Sequence, residues 1–419
     1  MASVNQGKIP EYLNENLIRK SLVNGFQDES VAVENFNITP ATSAGDNYMS
    51  DVFRVRVEYR TISNEEEPCK ISLIVKCMPD DGSRGQMLKE LDLYEKEAEM
   101  YRSVIPELSK IADNEFFSAK LFYATQTPVR MLWFQDLRPL QFTMAVRKTG
   151  FDFDHCALVM KKIGKFHAAS MLYAKQNMAM LEKHFHFHWY NPDVESRSKL
   201  LDGILEKNYA VLLNAIEHDW ADFDPNLLAK MKELSPFYVS KFEKCMTQKF
   251  DNGFKVLNHG DLWCNNMMFR YDPVSHKAEE VIFLDYQTSN YNSPGLDLNY
   301  FLSTCSGLDA RDRIDELIEM YHGALSDALA SIGYSPIPTL ADVYHELDRM
   351  EFLALVSVSS LLPIVLMEDT DIYEPSFDTM VNDDELSEKR RKIQFSGKLY
   401  RTIAKPLLKK YDEKKLFDV

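Results

Sequence analysis

The sequence predicts an α+β fold with two lobes, a small β-rich N-terminal lobe and a larger, mainly helical C-terminal lobe. Three observations lead to this prediction. Short apolar or alternating runs bounded by polar turns are concentrated at residues 51–59, 71–75 and 131–134. The rest of the chain is mostly helical in pattern, apart from one β-hairpin at residues 267–284. With 419 residues, of which 45% are hydrophobic, the chain is long enough to give both lobes a core.

The N-terminal lobe, residues 1–139, is predicted to contain two helices, three strands and two polar turns. Apolar residues at helical spacing indicate the first helix, and β-branched or alternating runs indicate the strands. Residues 135–139 form the connection to the C-terminal lobe, residues 140–419. In chain order, the elements are helix 10–23, turn 42–50, strand 51–59, turn 65–68, strand 71–75, helix 90–100 and strand 131–134.

Three segments of the C-terminal lobe give clear predictions. Residues 267–271 and 281–284 are apolar runs separated by turn formers, which is typical of a β-hairpin. The most apolar stretch, residues 352–367, falls short of the roughly 20 residues that a membrane-spanning helix requires, so a buried helix is expected. The charged run at residues 382–392 is interpreted as a solvated loop that leads into the last helix.

The segment before the hairpin contains the strongest functional signal. Asp261 follows a His-Gly turn, Asn266 lies five positions later, and Asp285 ends the second strand of the hairpin. An antiparallel hairpin brings Asn266 and Asp285 to the same end. Phosphoryl transfer from a nucleotide needs one group to accept the proton of the acceptor hydroxyl and oxygen ligands for magnesium. A helix cap and a turn residue are the alternative roles for the two aspartates.

A phosphate-binding lysine is expected upstream. Lys76 ends the strand 71–75, and the acids of the helix 90–100 are placed to pair with it. Glu97 is preferred because the apolar residues around it predict an inward-facing side of the helix, although Glu90 and Glu99 remain possible. A solvated strand end is the alternative interpretation of Lys76.

Two further segments are predicted to contact the nucleotide. Backbone amides of the turn 42–50 can approach phosphates, with Ser43 and Ser50 as additional donors. This turn contains neither a Gly-x-Gly-x-x-Gly pattern nor a Walker lysine motif. In the connection between the lobes, backbone groups at Phe134, Asp136 and Leu137 are expected to bind the adenine edge.

Histidines offer a weaker alternative site. His184, His186 and His188 alternate with aromatic residues and would share one face of a strand, as a metal site requires. No nearby cysteine or acid completes such a site. Surface histidines, or a wall of the acceptor pocket, are therefore the favoured interpretation.

Composition narrows the class of protein. The net charge of −16 argues against nucleic acid or an anionic membrane as a partner. The six cysteines show neither close pairing nor metal-ligand spacing, which favours a reducing compartment. The N-terminus lacks a basic start followed by an apolar run, so a cytoplasmic protein is expected. The sequence leaves the oligomeric state open.

Motifs spread over most of the chain match one family. They lie at residues 45–50, 74–76, 97–101, 259–266, 284–287 and 293–298. With these motifs the chain resembles the ecdysteroid kinase-like family, also called CHK kinase-like. This family lies within the choline kinase and aminoglycoside phosphotransferase branch of the protein-kinase-like fold. The resemblance therefore implies the bilobal fold of that class, with ATP and Mg²⁺ as cofactors.

The resemblance also implies roles for individual residues. Asp297 would brace the catalytic loop, without touching substrate. The other roles are a catalytic base at Asp261, magnesium ligands at Asn266 and Asp285, a clamp on the α- and β-phosphates at Lys76 and Glu97, and a phosphate loop at residues 45–50, which includes Gly45, Asn47 and Ser50.

Two departures from protein kinases indicate a small-molecule substrate. Residues 285–287 contain no glycine, and the motif at residues 294–297 follows too soon for a long activation loop. The expected function is therefore ATP- and Mg²⁺-dependent phosphorylation of a hydroxyl group on a lipophilic acceptor, such as an ecdysteroid or a related steroid or xenobiotic alcohol. A choline- or aminoglycoside-type kinase and a catalytically silent ligand-binding pseudokinase are the alternatives.

Overall fold

The computed structural model describes residues 9–41, 50–79, 82–186, 190–191, 196–197, 199–248, 253–367 and 384–419. The predicted α+β fold is confirmed, with a β-sheet in the N-terminal region and helices in the C-terminal region. The strands are β1 (Ala32–Pro40), β2 (Asp51–Thr61), β3 (Asn64–Met78), β4 (Leu121–Thr125), β5 (Arg130–Gln135), β6 (Phe142–Thr143), β7 (Tyr190–Asn191), β8 (Ser196–Arg197), β9 (Val256–Asn258), β10 (Met267–Tyr271), β11 (Ala278–Phe283) and β12 (Asn290–Asn292).

The α-helices account for most of the second lobe. Short 3₁₀ turns lie at Arg138–Leu140, Ser235–Phe237 and Cys264–Asn266, and a π-helical turn lies at Met100–Val104. The α-helices span Glu15–Phe26, Gly82–Glu90, Leu93–Glu99, Ile105–Ile111, Phe153–His184, Lys199–Asp219, Pro225–Leu234, Tyr238–Thr247, Gly295–Thr304, Leu308–Arg311, Ile314–Ser331, Leu340–Arg349, Glu351–Ser360, Leu362–Val365, Glu385–Ser396 and Lys398–Glu413.

The N-terminal lobe is built on an antiparallel sheet with the order β1-β2-β3-β5-β4. Its alternating strands bury one set of apolar residues in a cluster that also contains apolar residues of the helix Glu15–Phe26. The opposite face of β3 and β5 faces the second lobe. Lys76 pairs with Leu132 across these two strands, so the sheet determines where the lysine lies.

Two predicted N-terminal elements differ from the structure. Residues 65–68 belong to β3 instead of forming a turn, and the reversal occurs at residues 62–63. Pro68 lies at the register shift between the pairs Tyr59–Cys69 and Thr61–Asn64, and β3 pairs with β5 only from Leu73 onward. Proline is tolerated in a strand at such irregular, singly paired positions. The helix predicted at residues 90–100 is interrupted at Asp92, whose φ of 50° is left-handed.

The hairpin prediction is confirmed. β10 and β11 pair in antiparallel register, with Met267 opposite Phe283 and Phe269 opposite Val281. Asp272 caps the connecting turn by accepting hydrogen bonds from the amides of Val274 and Ser275, at 3.1 and 2.6 Å.

Pairing of β6 with β10 attaches residues 142–143 to this hairpin. That pairing supports our proposal that the second lobe begins near residue 140.

The helical lobe confirms one expectation and overturns another. Residues 352–367 form buried helices, as predicted. The charged run is not a loop, because the described part from residue 384 forms the helix Glu385–Ser396, with Arg390 and Arg391 buried. The long apolar stems of arginine side chains allow one face of a highly charged helix to be buried. The charge pattern of the sequence does not indicate this burial. Among the described residues, no helix is long and apolar enough to cross a membrane.

The histidine segment does not form the strand that the alternative metal site would require. The long helix continues through His184, and Phe185 is its buried C-terminal cap residue. His188 lies outside the described residues. His184 and His186 therefore do not alternate along a strand, and the described part of the chain contains no group of three or more metal-ligating side chains.

Candidate active site

A cleft of about 640 Å³ lies between the sheet and the hairpin of the second lobe. Apolar side chains of both lobes form part of its wall, including Val52, Ile74, Phe134, Met268 and Leu284. Polar groups lie among them. An apolar slot with a few converging polar groups is the usual form of a small-molecule site. Of the predicted site residues, this cleft is lined by Lys76, Glu97, Phe134, Asp136, Leu137, Asn266 and Asp285.

A buried ion-pair network lies at one end of the cleft. Nζ of Lys76 is 2.7 Å from Oε2 of Glu97 and 2.8 Å from Oδ1 of Asp285. Burial acts to lower the pKa of Lys76, but Asp285 and Glu97 outweigh it and raise the pKa above its ordinary value. Lys76 therefore stays cationic. Of the three acids that the sequence left open as partners of Lys76, Glu97 is the one that forms the ion pair.

Asp261 and Asn266 lie together at the base of the hairpin. The Nδ2 group of Asn266 donates to the backbone carbonyl and to Oδ2 of Asp261, both at 2.9 Å. Burial raises the pKa of Asp261 to about 6, with the hydrogen bonds from Tyr300 and Asn266 opposing the rise and Asp285 adding to it. The carboxyl group is thus mainly ionised at neutral pH.

The turn that carries Asp261 is held by Asp297. Its two carboxylate oxygens accept hydrogen bonds from the backbone amides of His259 and Gly260, at 2.7 and 2.8 Å. His167 contacts the same carboxylate at 3.1 Å. Asp297 is fully buried, so it contacts the loop and not the cleft. His167 is fully buried between Asp297 and Tyr321, so it is a core histidine.

Asp285 has an unusual backbone conformation. Its φ of 63° is left-handed, which Asp tolerates better than most residues because its short polar side chain bonds locally. Its amide donates to the hydroxyl of Tyr101 at 3.2 Å. In this conformation the carboxylate of Asp285 contacts Lys76.

The connection between the lobes is fixed by a second buried ion pair. Nε of Arg54 is 2.7 Å from Oδ2 of Asp136, and that oxygen also accepts from Ser72 at 2.6 Å. The amide of Arg138 donates to Oδ1 at 3.1 Å. Burial would raise the pKa of Asp136, but these donors together hold it below its ordinary value.

This arrangement refines the predicted adenine contact. The backbone N–H of Asp136 donates to the carbonyl of Ser72 at 3.2 Å, so it is engaged within the protein. The carbonyl of Leu137 accepts from the amides of Leu140 and Phe142, at 3.1 and 3.2 Å. In the described part of the chain, the carbonyl of Asp136 and the N–H of Leu137 are therefore the groups left for a purine edge.

We expect Asp136→Ala to destabilise the protein strongly. The change would leave the Arg54 guanidinium buried without its counter-charge, which typically costs about 3 kcal/mol or more. Urea unfolding measures the effect, and Arg54→Met added to Asp136→Ala should restore part of the loss. Glu58→Ala is the matched control, because the exposed Glu58–Lys70 pair joins the neighbouring strands β2 and β3. Equal stability of Asp136→Ala and the parent would show that the pair has no structural role.

The phosphate loop lies largely outside the described residues, which include neither Ser43, Gly45 nor Asn47. Ser50 is described and immediately precedes β2. Its hydroxyl is buried without a hydrogen-bond partner in the described part of the chain. A buried hydroxyl without a partner is costly, so it is a suitable donor for a phosphate oxygen.

The donor set fits magnesium. Both Nδ2 hydrogen bonds of Asn266 are made to Asp261, so the amide oxygen is the atom of this side chain that can bind a cation. Asp285 adds a carboxylate at the same end of the hairpin. Hard oxygen ligands in this small number are what magnesium takes from a protein when phosphates and water complete its shell.

Comparisons with known proteins identify what this chain is similar to. The model of the ecdysteroid kinase-like family matches residues 44–334, which is more than half of the chain. No curated protein sequence matches. Similar solved structures include an ethanolamine kinase from Plasmodium vivax, at 14% identity and a TM-score of 0.41, covering 88% of this chain and 83% of that one.

Two others are the streptomycin–ATP complex of APH(2″)-IIa and a macrolide 2′-phosphotransferase from Brachybacterium faecium. The first has 15% identity and a TM-score of 0.40, covering 85% of this chain and 96% of that one. The second has 12% identity and a TM-score of 0.36, with 85% and 95% covered. Similarity at this level transfers neither ligand nor acceptor. The family match, in contrast, spans both lobes and the site, and the chain therefore belongs to the ecdysteroid kinase-like family of small-molecule phosphotransferases.

Proposed function

We propose that this protein uses ATP and Mg²⁺ to phosphorylate a hydroxyl group of a lipophilic small molecule, such as an ecdysteroid or a related steroid or xenobiotic alcohol. One observation carries the proposal. The hairpin brings Asn266 and Asp285 to the same end, beside Asp261 and within reach of the Lys76–Glu97 pair. A base, two oxygen ligands and a buried cation are the protein groups that phosphoryl transfer uses.

In the proposed mechanism each of these residues has a separate task. Asp261 accepts the proton of the acceptor hydroxyl and orients its oxygen toward the phosphorus. Asn266 and Asp285 would hold Mg²⁺, which when bound offsets the charge on the phosphates. Lys76 binds phosphate oxygens, and Glu97 keeps the lysine in position. Because the pKa of Asp261 is about 6, its carboxylate is available as a base at neutral pH.

The surroundings of Asp261 favour a neutral acceptor. Its two described hydrogen-bond donors, Tyr300 and Asn266, are uncharged. Asp285 is close enough to raise the pKa of Asp261, and this carboxylate is already assigned to the metal. A cationic acceptor such as an amino alcohol would favour further carboxylates or an aromatic cage. The apolar residues 352–367 do not line the nucleotide cleft. We propose them as a wall of the acceptor site, on the ground of their composition.

A cytoplasmic location is part of the proposal. It rests on the cysteines, none of which forms a disulfide bond in the described structure. A catalytically silent binder is the least favoured alternative, because Lys76, Asp261, Asn266 and Asp285 are all present.

The proposed function is tested with purified protein, ATP and magnesium against a panel of acceptors. We expect phosphate transfer to a steroid-like alcohol and none to choline, ethanolamine or an aminoglycoside. The acceptor KM should change little with salt, because no charged pair forms. Removal of magnesium with EDTA is the control for metal dependence. Turnover of cationic acceptors alone, with a KM that rises steeply with salt, would identify an amino-alcohol or aminoglycoside kinase. Tight ligand binding without any turnover would identify a silent binder.

A further inference from the structure

Tyr300 contacts the catalytic loop from the helix Gly295–Thr304, two residues beyond the motif at residues 293–298. Its hydroxyl donates a hydrogen bond to Oδ1 of Asp261 at 2.6 Å. The other oxygen of this carboxylate, Oδ2, accepts from Asn266 at 2.9 Å. The carboxylate of Asp261 is thus held from two sides, by the hairpin and by a residue that is 39 positions away in the sequence.

The helix Gly295–Thr304 positions two parts of the loop together. Asp297 and Tyr300 are three residues apart, so they lie on the same side of the helix. Asp297 binds the backbone amides of His259 and Gly260, and Tyr300 binds the side chain of Asp261. One rigid element therefore determines both where the loop runs and which way its carboxylate points.

The helix itself is firmly anchored. A β-carbon at Gly295 would lie 2.0 Å from the carbonyl oxygen of Glu346, so the first turn packs directly on the backbone of the helix Leu340–Arg349. Further along, Nδ2 of Asn299 donates to the carbonyl of Leu347 at 2.8 Å. The phenol of Tyr300 is consequently presented to Asp261 from a support that does not depend on the nucleotide cleft.

We propose that Tyr300 is a positioning residue for Asp261. Its hydrogen bond holds the Asp261 carboxylate in the one orientation in which it can accept the proton of the acceptor hydroxyl. The inference rests on the proposed function, in which Asp261 is the base. Burial raises the pKa of Tyr300 well above its ordinary range, and Asp261 adds to the rise, so the phenol remains a donor at physiological pH. Without this donor, Asn266 is the remaining described side chain that bonds to the carboxylate. One hydrogen bond restrains the side-chain rotation of Asp261 less than two do.

Tyr300→Phe tests this role and retains the ring that packs in the helix interface. We expect kcat at saturating acceptor to fall roughly ten- to a hundredfold, as for the loss of a hydrogen bond to a charged group. The Kd for nucleotide should not change, because Tyr300 does not line the nucleotide cleft. Tyr209→Phe is the matched control, since it also removes one buried tyrosine hydroxyl. That hydroxyl donates to the carbonyl of Met231 at 2.9 Å, between the helices Lys199–Asp219 and Pro225–Leu234.

A double-mutant comparison separates positioning from general structural damage. If Tyr300 acts through Asp261, Tyr300→Phe should reduce turnover very little in an Asp261→Asn background. An equal loss in both backgrounds would overturn the proposal. So would turnover of Tyr300→Phe within twofold of the parent, or a nucleotide Kd that weakens in step with kcat.

Crystal structures of the parent and of Tyr300→Phe give a readout that does not need activity. The inference predicts that the Asp261 carboxylate changes its orientation or becomes disordered in the variant while the backbone of residues 259–261 stays in place. An unchanged carboxylate would refute it. This outcome is independent of whether any acceptor is phosphorylated, so failure of the proposed function and failure of the Tyr300 inference are distinguished.

Discussion

Replacing Asp261 with asparagine should leave nucleotide binding intact and lower turnover by about a hundredfold or more, as expected when a positioned general base is removed. Asparagine has almost the same shape and can still bond to Tyr300 and Asn266, which both contact the carboxylate in the parent. The loss would therefore reflect the missing base and not a collapsed loop. Turnover at saturating acceptor, together with calorimetry for ATP, measures the two effects separately.

The same hairpin offers a matched control for this experiment. Asp272 lies in the connecting turn, at the end of the hairpin opposite to Asn266 and Asp285. Asp272→Asn makes an identical chemical change, and asparagine can still accept the turn hydrogen bonds. Its turnover should match that of the parent. If Asp261→Asn retains turnover within threefold of the parent while Asp272→Asn behaves normally, Asp261 is not the base.

Replacing Asp285 is expected to remove the magnesium dependence of ATP binding. Even residues that only support metal ligands change metal affinity by about ten- to a hundredfold, so loss of the carboxylate ligand itself should cost no less. Asp285→Ala deletes the ligand but also places alanine at a φ of 63°, which strains the backbone. Calorimetric titration of ATP with and without magnesium measures the loss.

Asp285→Asn separates the charge of the ligand from the strain. Asparagine tolerates the left-handed conformation and keeps one amide oxygen, so the fold should be retained. We expect magnesium to increase the ATP affinity of Asp285→Asn less than that of the parent, and not to increase the ATP affinity of Asp285→Ala. In both variants Lys76 keeps its ion pair with Glu97, which should preserve the metal-independent part of ATP binding. An unchanged magnesium effect in both variants would mean that Asp285 is only a turn residue.

Local patterns were sufficient for part of the site. The hairpin was predictable because its two strands and turn lie within 20 residues, where apolar alternation and turn chemistry determine pairing. Its register then placed Asn266 and Asp285 together, and the structure brings Lys76 and Glu97 to the same place. Local patterns failed where burial decides the outcome. The charged run near residue 390 forms a packed helix, and residues 65–68 continue a strand.

The sequence by itself determined the α+β class, the hairpin and the residue types of a phosphotransferase site. Only the tertiary structure decided which groups orient that chemistry. Tyr300 reaches Asp261 across 39 positions, Arg54 reaches Asp136 across 82, and His167 reaches Asp297 across 130. None of these partners has a spacing signal, because their contacts form when lobes and helices pack and bury polar groups that must then find one another. Short motifs supply the reactive residue types, whereas the orientation of their side chains depends on contacts that exist only in the folded chain.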